Sequence, residues 1–194
     1  MRRPSDPLVA TLAAGTYVAL CVRHRDRPGR LEMRAFRAVN DAPDRRWLRV
    51  PQQLGTPWTL PATAAALAAR RRWAWAVAAL VAVPAEKGAE VATKKVLRRP
   101  RPVAVAPTAL RDDAPTRGGA LPSGHAAIAA SAAYLLARGT GSRVLGAAAA
   151  GGTLLASYVR VHQGAHWPAD VAAGAALGVA VGAGLAAVVD ATTR

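Results

Sequence analysis

The sequence predicts an all-α, polytopic membrane protein: a single domain over residues 1–194 with six transmembrane helices. Hydrophobic residues make up 52% of the chain and are concentrated in nearly uncharged runs, and this is the main observation behind the prediction. The 26 Lys and Arg and the 11 Asp and Glu stand in short blocks between these runs. Such long apolar runs exclude a disordered chain. A disulfide-stabilised domain is excluded because Cys21 is the only cysteine.

Six uncharged apolar runs are the candidate spans, in the order 8–22, 58–69, 73–85, 120–137, 144–159 and 171–189. A helix needs about 20 residues to cross the hydrocarbon core, and the last run fits this length without flanking residues. The fifth run reaches it with Arg143 and Arg160, whose long side chains can extend toward the interface. The third span is interrupted by Glu86, Lys87 and Glu90, so its far end must face protein or water.

A soluble helical bundle is the alternative to a membrane protein, and it requires polar residues at every third or fourth position of each helix. The runs 144–159 and 171–189 carry no such polar stripe. Gly174, Gly178 and Gly182 instead recur every fourth residue, a spacing that lets helices pack closely in lipid. These features favour the membrane protein.

The segments outside the runs complete the predicted topology. Arg2 and Arg3 before the first run resemble a signal sequence, but no A-x-A cleavage site follows, so we expect a retained first span. Both termini then lie on one side of the membrane. Residues 23–57 form an Arg-rich connection, in which the apolar spacing of 31–39 predicts a short helix at the membrane surface. Residues 94–121 are rich in Pro, Arg and Gly and predict an irregular loop.

Polar residues return at the edges of the spans in three clusters: Lys94–Pro102, Leu121–His125 and Arg160–Asp170. In the first, Lys94 and Arg101 combine a positive charge with a planar guanidinium, which suits phosphate oxygens. An isolated basic run would more often be a membrane-surface anchor. With alternating helices, however, all three clusters fall on the same face of the membrane, which favours one shared site.

The second cluster stands just before an apolar run, so Ser123, Gly124 and His125 are expected in the first turn of a helix. Free N–H groups at a helix N-terminus bind anions, and a glycine lets a ligand approach closely. A histidine in such a position also serves as a capping or buried polar residue. Only the combination with the other clusters favours a functional role.

The third cluster contains His166 and, four residues later, Asp170. Pro168 between them suits the first position of the last helix. A carboxylate in the first helical turn can hydrogen-bond one ring nitrogen of His166 and leave the other as a nucleophile. Arg160 is expected at the end of the fifth span, close to the start of the sixth.

In order and spacing, these clusters resemble the three motifs of the type 2 phosphatidic acid phosphatase (PAP2) superfamily, KxxxxxxRP, PSGH and SRxxxxxHxxxD. The matching residues are Lys94, Arg101 and Pro102, then Pro122 to His125, then Arg160, His166 and Asp170. Val159 stands where the family usually has Ser. The resemblance covers about residues 60–190.

The resemblance implies a PAP2-type helical bundle and a metal-independent phosphatase that releases phosphate or diphosphate from a membrane lipid. The lipid classes it implies are a polyprenyl diphosphate, a polyprenyl-linked sugar phosphate and a phosphatidate-like lipid. It further implies that His166 attacks phosphorus and forms a phosphohistidine, that Asp170 orients His166, and that His125 protonates the leaving oxygen. The implied phosphate-binding residues are Lys94, Arg101, Ser123, Gly124 and Arg160.

No cofactor or metal is expected, because the four His, the single Cys and the acidic residues lack the spacing of zinc or calcium ligands. The expected partners are a lipid phosphate and the bilayer, without nucleic acid. A phosphotransferase of the same superfamily and a non-catalytic pseudoenzyme are the alternatives. A soluble haloperoxidase, which binds vanadate with the same motifs, is disfavoured by the uncharged spans.

Four polar residues match no motif. We expect His24 to be solvated within its basic block and His162 to pack near the site. Glu86 and Glu90 are expected to balance nearby Arg residues, without a catalytic role.

The expected location is a multi-pass position in a bacterial cytoplasmic membrane, with the side of the site left open. More Lys and Arg lie near the three clusters than on the side of the termini. Taken literally, the positive-inside rule places the clusters in the cytoplasm. Contacts with anionic lipids are another explanation of the same Arg excess.

Overall fold

The computed structural model describes residues 5–112 and 114–193, and this part of the chain is all-helical, with no strand. The predicted all-α class is confirmed. The helices are α1 Asp6–Arg23, α2 Arg30–Asn40, α3 Arg49–Gln52, α4 Thr59–Ala69, α5 Trp73–Leu97, α6 Gly124–Thr140, α7 Arg143–His162 and α8 Pro168–Thr192. Short 3₁₀ turns flank α3 and follow Arg101. Arg2 and Arg3, which resemble the start of a signal sequence, lie outside the described residues.

Most predicted boundaries agree with the observed helices, and the C-terminal part of α5 differs most. Helix α8 begins at Pro168, and α2 forms within the Arg-rich connection, both as predicted. Helix α5 continues through the charged stretch 86–90 to Leu97, so Lys94 belongs to its last turn and not to the predicted loop 94–121. Glu90 pairs with lysines three residues before it and four residues after it, and such pairs support a charged helical segment. Helix α3 and its flanking turns were not predicted.

Two of the described helices are long and apolar enough to cross a membrane, namely α7 and α8. Helix α4 is also apolar but has only 11 residues. The crossing by six helices therefore stays a prediction for α1, α4, α5 and α6.

The glycines of α8 form its contact with α6. A Cβ atom added to Gly174 would collide with the carbonyl oxygen of Ser123, and one added to Gly178 would collide with that of Ala127. A Cβ on Gly182 would lie 3.0 Å from the Cβ of Tyr134. The small-residue stripe predicted from the sequence thus lets α8 pack directly against the backbone of α6.

The two ends of the bundle carry different polar groups. At one end, Arg138 near the end of α6 lies 2.5 Å from Asp6 at the start of α1 and 2.6 Å from Asp190 near the end of α8. The start and the end of the described chain therefore lie together. At the opposite end, α5 and α7 finish and α6 and α8 begin, and this end carries the three polar clusters.

Candidate active site

Backbone and side-chain hydrogen bonds join the three clusters at one end of the bundle. The Ser123 N–H donates to the carbonyl oxygen of Asp170 at 2.9 Å, which joins the second cluster to the third. Arg101 Nη1 donates to the carbonyl oxygen of Ala165 at 2.7 Å, which joins the first cluster to the third. Segments 47 and 64 residues apart in the sequence thus meet in one place.

His166 lies in the buried turn between α7 and α8, with its Nδ1 atom 3.7 Å from Asp170 Oδ2. This distance is too long for a hydrogen bond but places the carboxylate next to the ring. Arg101 and Arg160 lie close enough to His166 to act on it electrostatically. Burial lowers the pKa of His166 to about 4, although the adjacent Asp170 carboxylate opposes the shift. The imidazole is therefore neutral at neutral pH, as a nucleophile requires.

The turn that carries His166 depends on Gly164. Its φ of +75° belongs to the left-handed region, which strains any residue with a Cβ atom. An added Cβ would also lie 2.9 Å from the carbonyl oxygen of Ala109. The Ala165 N–H then donates to the carbonyl oxygen of Arg160 at 3.1 Å and closes the turn.

Asp170 is fully buried, and both of its carboxylate oxygens are engaged. Oδ2 accepts a hydrogen bond from the Trp167 N–H at 2.8 Å, which caps the start of α8. Oδ1 accepts one from Arg99 Nη1 at 2.5 Å. The carboxylate beside His166 is therefore held in a fixed position from two sides.

Arg99 was not predicted as a site residue. Its side chain has no exposed surface, and its second guanidinium nitrogen donates to Glu32 Oε2 at 2.6 Å. The Nε atom donates to the carbonyl oxygen of Asp26 at 3.1 Å. Arg98 beside it is exposed, and nothing in the run of basic residues indicates which of the two turns inward.

Glu32 of α2 completes this network. Its Oε1 atom accepts a hydrogen bond from the Ala169 N–H at 3.1 Å, at the start of α8. His24 Nδ1 lies 3.4 Å from Glu32 Oε2, so the expectation of a solvated His24 is wrong: the Glu32 carboxylate draws the ring against α2. Phe36, one turn further along α2, packs on Trp167 with ring centroids 4.8 Å apart. Helix α2 thus covers the turn that carries His166.

Lys94 is paired with Glu90, at 2.5 Å between Nζ and Oε1. Glu90 also accepts from Lys87 at 3.1 Å, so its partners are lysines of its own helix and not the Arg residues expected from the sequence. A Cβ on Gly124 would lie 2.8 Å from Glu90 Oε2. The Lys94–Glu90 pair therefore stands directly against the N-terminus of α6.

Arg160 is buried near the end of α7 and donates to Gln163 Oε1 at 2.7 Å. Gln163 was not predicted to have a role. Its amide nitrogen donates to Gln52 at 2.8 Å and to Asp112 at 2.9 Å, and Arg49 lies 2.8 Å from Asp112. Gln163 thus fixes one side of the Arg160 guanidinium and leaves the other side free to bind an anion.

The second cluster lies where the sequence predicts, with one difference. Gly124 and His125 occupy the first turn of α6, whereas Ser123 is the residue before it, because its backbone is extended. The His125 backbone packs against Gly55, where an added Cβ would lie 2.6 Å from the His125 carbonyl oxygen. His125 also lies within electrostatic range of Arg160 and His166.

Three buried polar atoms of the site have no hydrogen-bond partner among the described residues: Ser123 Oγ, Arg160 Nε and His166 Nδ1. Buried polar groups are normally paired, and unpaired ones point to a ligand, an ion or water. Ser123 Oγ and Arg160 Nε can both donate, which suits an anion, whereas His166 Nδ1 faces the Asp170 carboxylate.

Two residues near the site are used in packing. His162 is buried, its ring lies over Tyr158 with centroids 6.0 Å apart, and its Nε2 atom lies 3.3 Å from the carbonyl oxygen of Pro43. Val159, at the position where serine was expected by resemblance, is also buried. Within residues 5–112 and 114–193, no group of three His, Cys, Asp or Glu side chains is arranged to hold a metal ion.

Comparisons with known proteins agree with the resemblance noted in the sequence. The model of the PAP2 superfamily matches residues 62–194. The crystal structure of LpxE from Aquifex aeolicus is similar, with a TM-score of 0.69 and 23% identity over 79% of this chain and 93% of that one. A transmembrane PAP2-type phosphatidylglycerolphosphate phosphatase from Bacillus subtilis superposes with a TM-score of 0.72 and 19% identity, over 95% and 97% of the two chains. Among curated proteins, none matches.

Proposed function

This chain belongs to the PAP2 superfamily of phosphatases, and on that premise we propose that it hydrolyses a phosphate or diphosphate ester of a membrane lipid through a phosphohistidine. The observation that carries the proposal is the pair of unpartnered buried donors, Ser123 Oγ and Arg160 Nε, near the His166 ring. They belong to two of the motifs, and Arg101 of the first motif lies beside them.

The basic residues and the N-terminus of α6 bind the phosphate. Arg101 and Arg160 supply guanidinium groups from two sides, and Lys94 exchanges its Glu90 partner for a phosphate oxygen. The free N–H groups around Gly124 add donors from the helix N-terminus. Such preorganised donors stabilise the charge on the phosphoryl oxygens in the transition state, and this electrostatic stabilisation is usually the largest catalytic effect.

In the first step, His166 Nε2 attacks phosphorus, an N–P bond forms and the bond from phosphorus to the lipid oxygen breaks. Asp170 stabilises the positive charge that develops on the ring through Nδ1, which lies on its side. The negative charge of the bound phosphate favours the protonated form of His125, which donates its proton to the leaving lipid oxygen. The products are the phosphohistidine and the dephosphorylated lipid.

In the second step, water attacks the phosphohistidine, the N–P bond breaks and inorganic phosphate leaves. His125, now neutral, accepts the proton of the water. This returns both histidines to their starting states, so no proton is gained or lost over the cycle.

The membrane setting follows the same proposal. Helices α1, α4, α5 and α6 cross the membrane with the apolar helices α7 and α8, which makes a six-span protein of the bacterial cytoplasmic membrane. The even number of spans is supported by Asp6 and Asp190, which meet at Arg138. The site then lies at one membrane surface, at the depth of lipid phosphates.

The direct test is release of inorganic phosphate from a short-chain lipid phosphate by the purified protein in detergent, with EDTA present. We expect turnover by the wild type, none by His166→Ala, and most of it retained by His162→Phe, which preserves a buried ring at a packing position. Complete inactivity of the wild type on phosphatidate and on prenyl mono- and diphosphates would contradict the proposal and favour a pseudoenzyme. Transfer of phosphate to an added alcohol in place of release would favour a phosphotransferase.

A further inference from the structure

A cleft of about 270 Å³ opens between α4, α5 and α6. Its walls are mostly apolar and include Leu60, Val83 and Ile128. At one end it reaches Gly124 and Glu90, which adjoin the proposed phosphate site. A lipid whose phosphate binds at that site has its next atoms at the mouth of this cleft.

Glu86 lines the cleft with a buried carboxyl group. The residue is 3% exposed, and neither carboxyl oxygen has a hydrogen-bond partner within the described part of the chain. The neighbouring Lys87 is paired with Glu90 instead, and the nearby Ser131 hydroxyl donates to the Ile128 carbonyl oxygen at 3.2 Å. An unpartnered carboxyl group among apolar side chains is costly to bury, so its retention points to a ligand.

The position of Glu86 sets where that ligand group must lie. Glu86 precedes Glu90 by one helical turn, which places it roughly 6 Å further from the end of α5. Glu90 marks the level of Gly124 and of the proposed phosphate site. The carboxyl group therefore faces the part of the lipid that lies a few bonds beyond the phosphate.

We infer that Glu86 determines specificity by hydrogen-bonding an oxygen-bearing group of the substrate lipid next to its phosphate. A glycerol backbone carries hydroxyl or ester oxygens at this distance, whereas a polyprenyl chain carries only hydrocarbon there. A carboxylate accepts a hydrogen bond from a hydroxyl group, and a carboxylic acid also donates one to an ester oxygen. The apolar walls around Leu60, Val83 and Ile128 hold the start of the hydrocarbon chains. The inference rests on the proposed function, because the position of the bound phosphate determines which atoms of the lipid lie beside Glu86.

The test compares two lipid phosphates in wild type, Glu86→Leu and Glu86→Gln. Dioleoyl phosphatidate carries glycerol oxygens, and geranylgeranyl monophosphate does not. Loss of a hydrogen bond to a buried charged or polar group corresponds to about a tenfold loss or more. We expect Glu86→Leu to lower kcat/KM for phosphatidate by about tenfold, with geranylgeranyl monophosphate changed less than twofold. Glu86→Gln retains most of the phosphatidate activity, since its amide also hydrogen-bonds.

Equal losses on both lipids, or no loss on phosphatidate, would overturn the inference. Thermal unfolding in detergent shows whether Glu86→Leu is folded, and a misfolded variant would lower both activities together. Binding of the two lipids, followed by tryptophan fluorescence, supplies a readout that does not need turnover. Failure of the wild type to hydrolyse phosphatidate and prenyl mono- and diphosphates would contradict the proposed function alone, and the ratio of the two affinities in wild type and Glu86→Leu would still decide the role of Glu86.

Discussion

At the scale of single residues, Asp170 is the point at which the parts of the site are connected. Its side chain contacts His166, Arg99 and the Trp167 N–H, and its carbonyl oxygen accepts from Ser123. The segments that carry both motif histidines therefore meet at one buried residue, through its carboxylate on one side and its backbone carbonyl group on the other. Arg99 and Glu32 hold that carboxylate from the side away from His166.

Arg99 is expected to act as a positioning residue. Arg99→Ala leaves Asp170 buried without its charged partner, which costs about 3 kcal/mol of unfolding free energy. We expect kcat to fall by at least about tenfold with KM little changed, because Arg99 does not touch the phosphate. Arg99→Lys restores part of kcat by returning the charge.

Steady-state kinetics on the three proteins decide this assignment, and detergent unfolding curves check the stability change. A raised KM with unchanged kcat in Arg99→Ala would instead place Arg99 among the phosphate-binding groups. Glu32→Gln serves as the matched control, because it keeps a hydrogen-bonding side chain against Arg99 while removing the outer charge.

The protonation state of His166 gives a second residue-scale prediction. Burial favours the neutral ring and lowers its pKa to about 4, so the ring gains its proton only well below the ordinary histidine range of about 6.5. Histidine-labelled protein followed by NMR from pH 8 to pH 4.5 reports this directly, with the signal assigned by its loss in His166→Ala. We expect the neutral chemical shift to persist at pH 5.5. Titration of that signal between pH 6 and 7 would be inconsistent with a buried neutral nucleophile.

The sequence predicts the proposed catalytic and phosphate-binding residues better than the residues that position them. Four residues are predicted as site residues from their spacing and because their side-chain types suit phosphate chemistry: Lys94, Arg101, His166 and Asp170. Arg99 is one of several neighbouring arginines, and its inward direction is decided by the left-handed conformation of Arg98 at the end of α5. Backbone conformation of that kind has no periodic signal in the sequence.

At the scale of helices, the pairing of α6 with α8 positions the second motif against the third. Gly174 lies against the Ser123 carbonyl group and Gly178 lies against that of Ala127. The close approach of the two helices thus sets the distance between Ser123 and Asp170. The glycine spacing predicts such an approach, whereas the partner helix follows only from the three-dimensional structure.

Gly178→Ala is expected to destabilise the protein by about 1–3 kcal/mol, because the new Cβ forces the backbones of α6 and α8 apart. Gly184→Ala is the matched control on the same helix, since an added Cβ there meets nothing within 4 Å. We expect that control to be neutral or slightly stabilising, because alanine favours helix more than glycine does. Thermal unfolding in one detergent compares the two. Equal melting temperatures would show that the glycine contact is not required.

The length of the charged C-terminal part of α5 is the feature of the helices that the sequence predicts least well. The charges at 86–90 interrupt the apolar run, but Glu90 is paired within its own helix with Lys87 and Lys94. Charged residues that interrupt an apolar run therefore do not end the helix when residues of opposite charge are spaced three or four positions apart.

At the scale of the whole molecule, the arrangement separates a structural end from a functional end. The Asp6–Arg138–Asp190 cluster holds the start of α1 and the end of α8 together at one end, and the three motifs meet at the other. In the proposed six-span topology these ends lie on opposite faces of the membrane. Counting Lys and Arg does not assign the site to the cytoplasmic or the outer face, because the count includes arginines of loops and of interfacial helices.

Single-cysteine labelling tests this topology in intact cells. Cys21 is buried, so the background is low, and Arg117→Cys and Arg72→Cys place exposed thiols near the site and at the start of α5. We expect a membrane-impermeant maleimide to label one of the two positions and not the other, and permeabilisation to expose both. Labelling of both positions before permeabilisation would contradict opposite faces.

The central claim is that His166 becomes covalently phosphorylated within the basic pocket formed by Arg101 and Arg160. Rapid mixing with a lipid phosphate labelled with ³²P, followed by an alkaline denaturing quench that preserves phosphohistidine, measures this directly. The account predicts acid-labile radioactivity on the wild-type protein, located at His166, absent in His166→Ala and present in His162→Phe. Turnover without any labelled protein, or label that persists in His166→Ala, would contradict it.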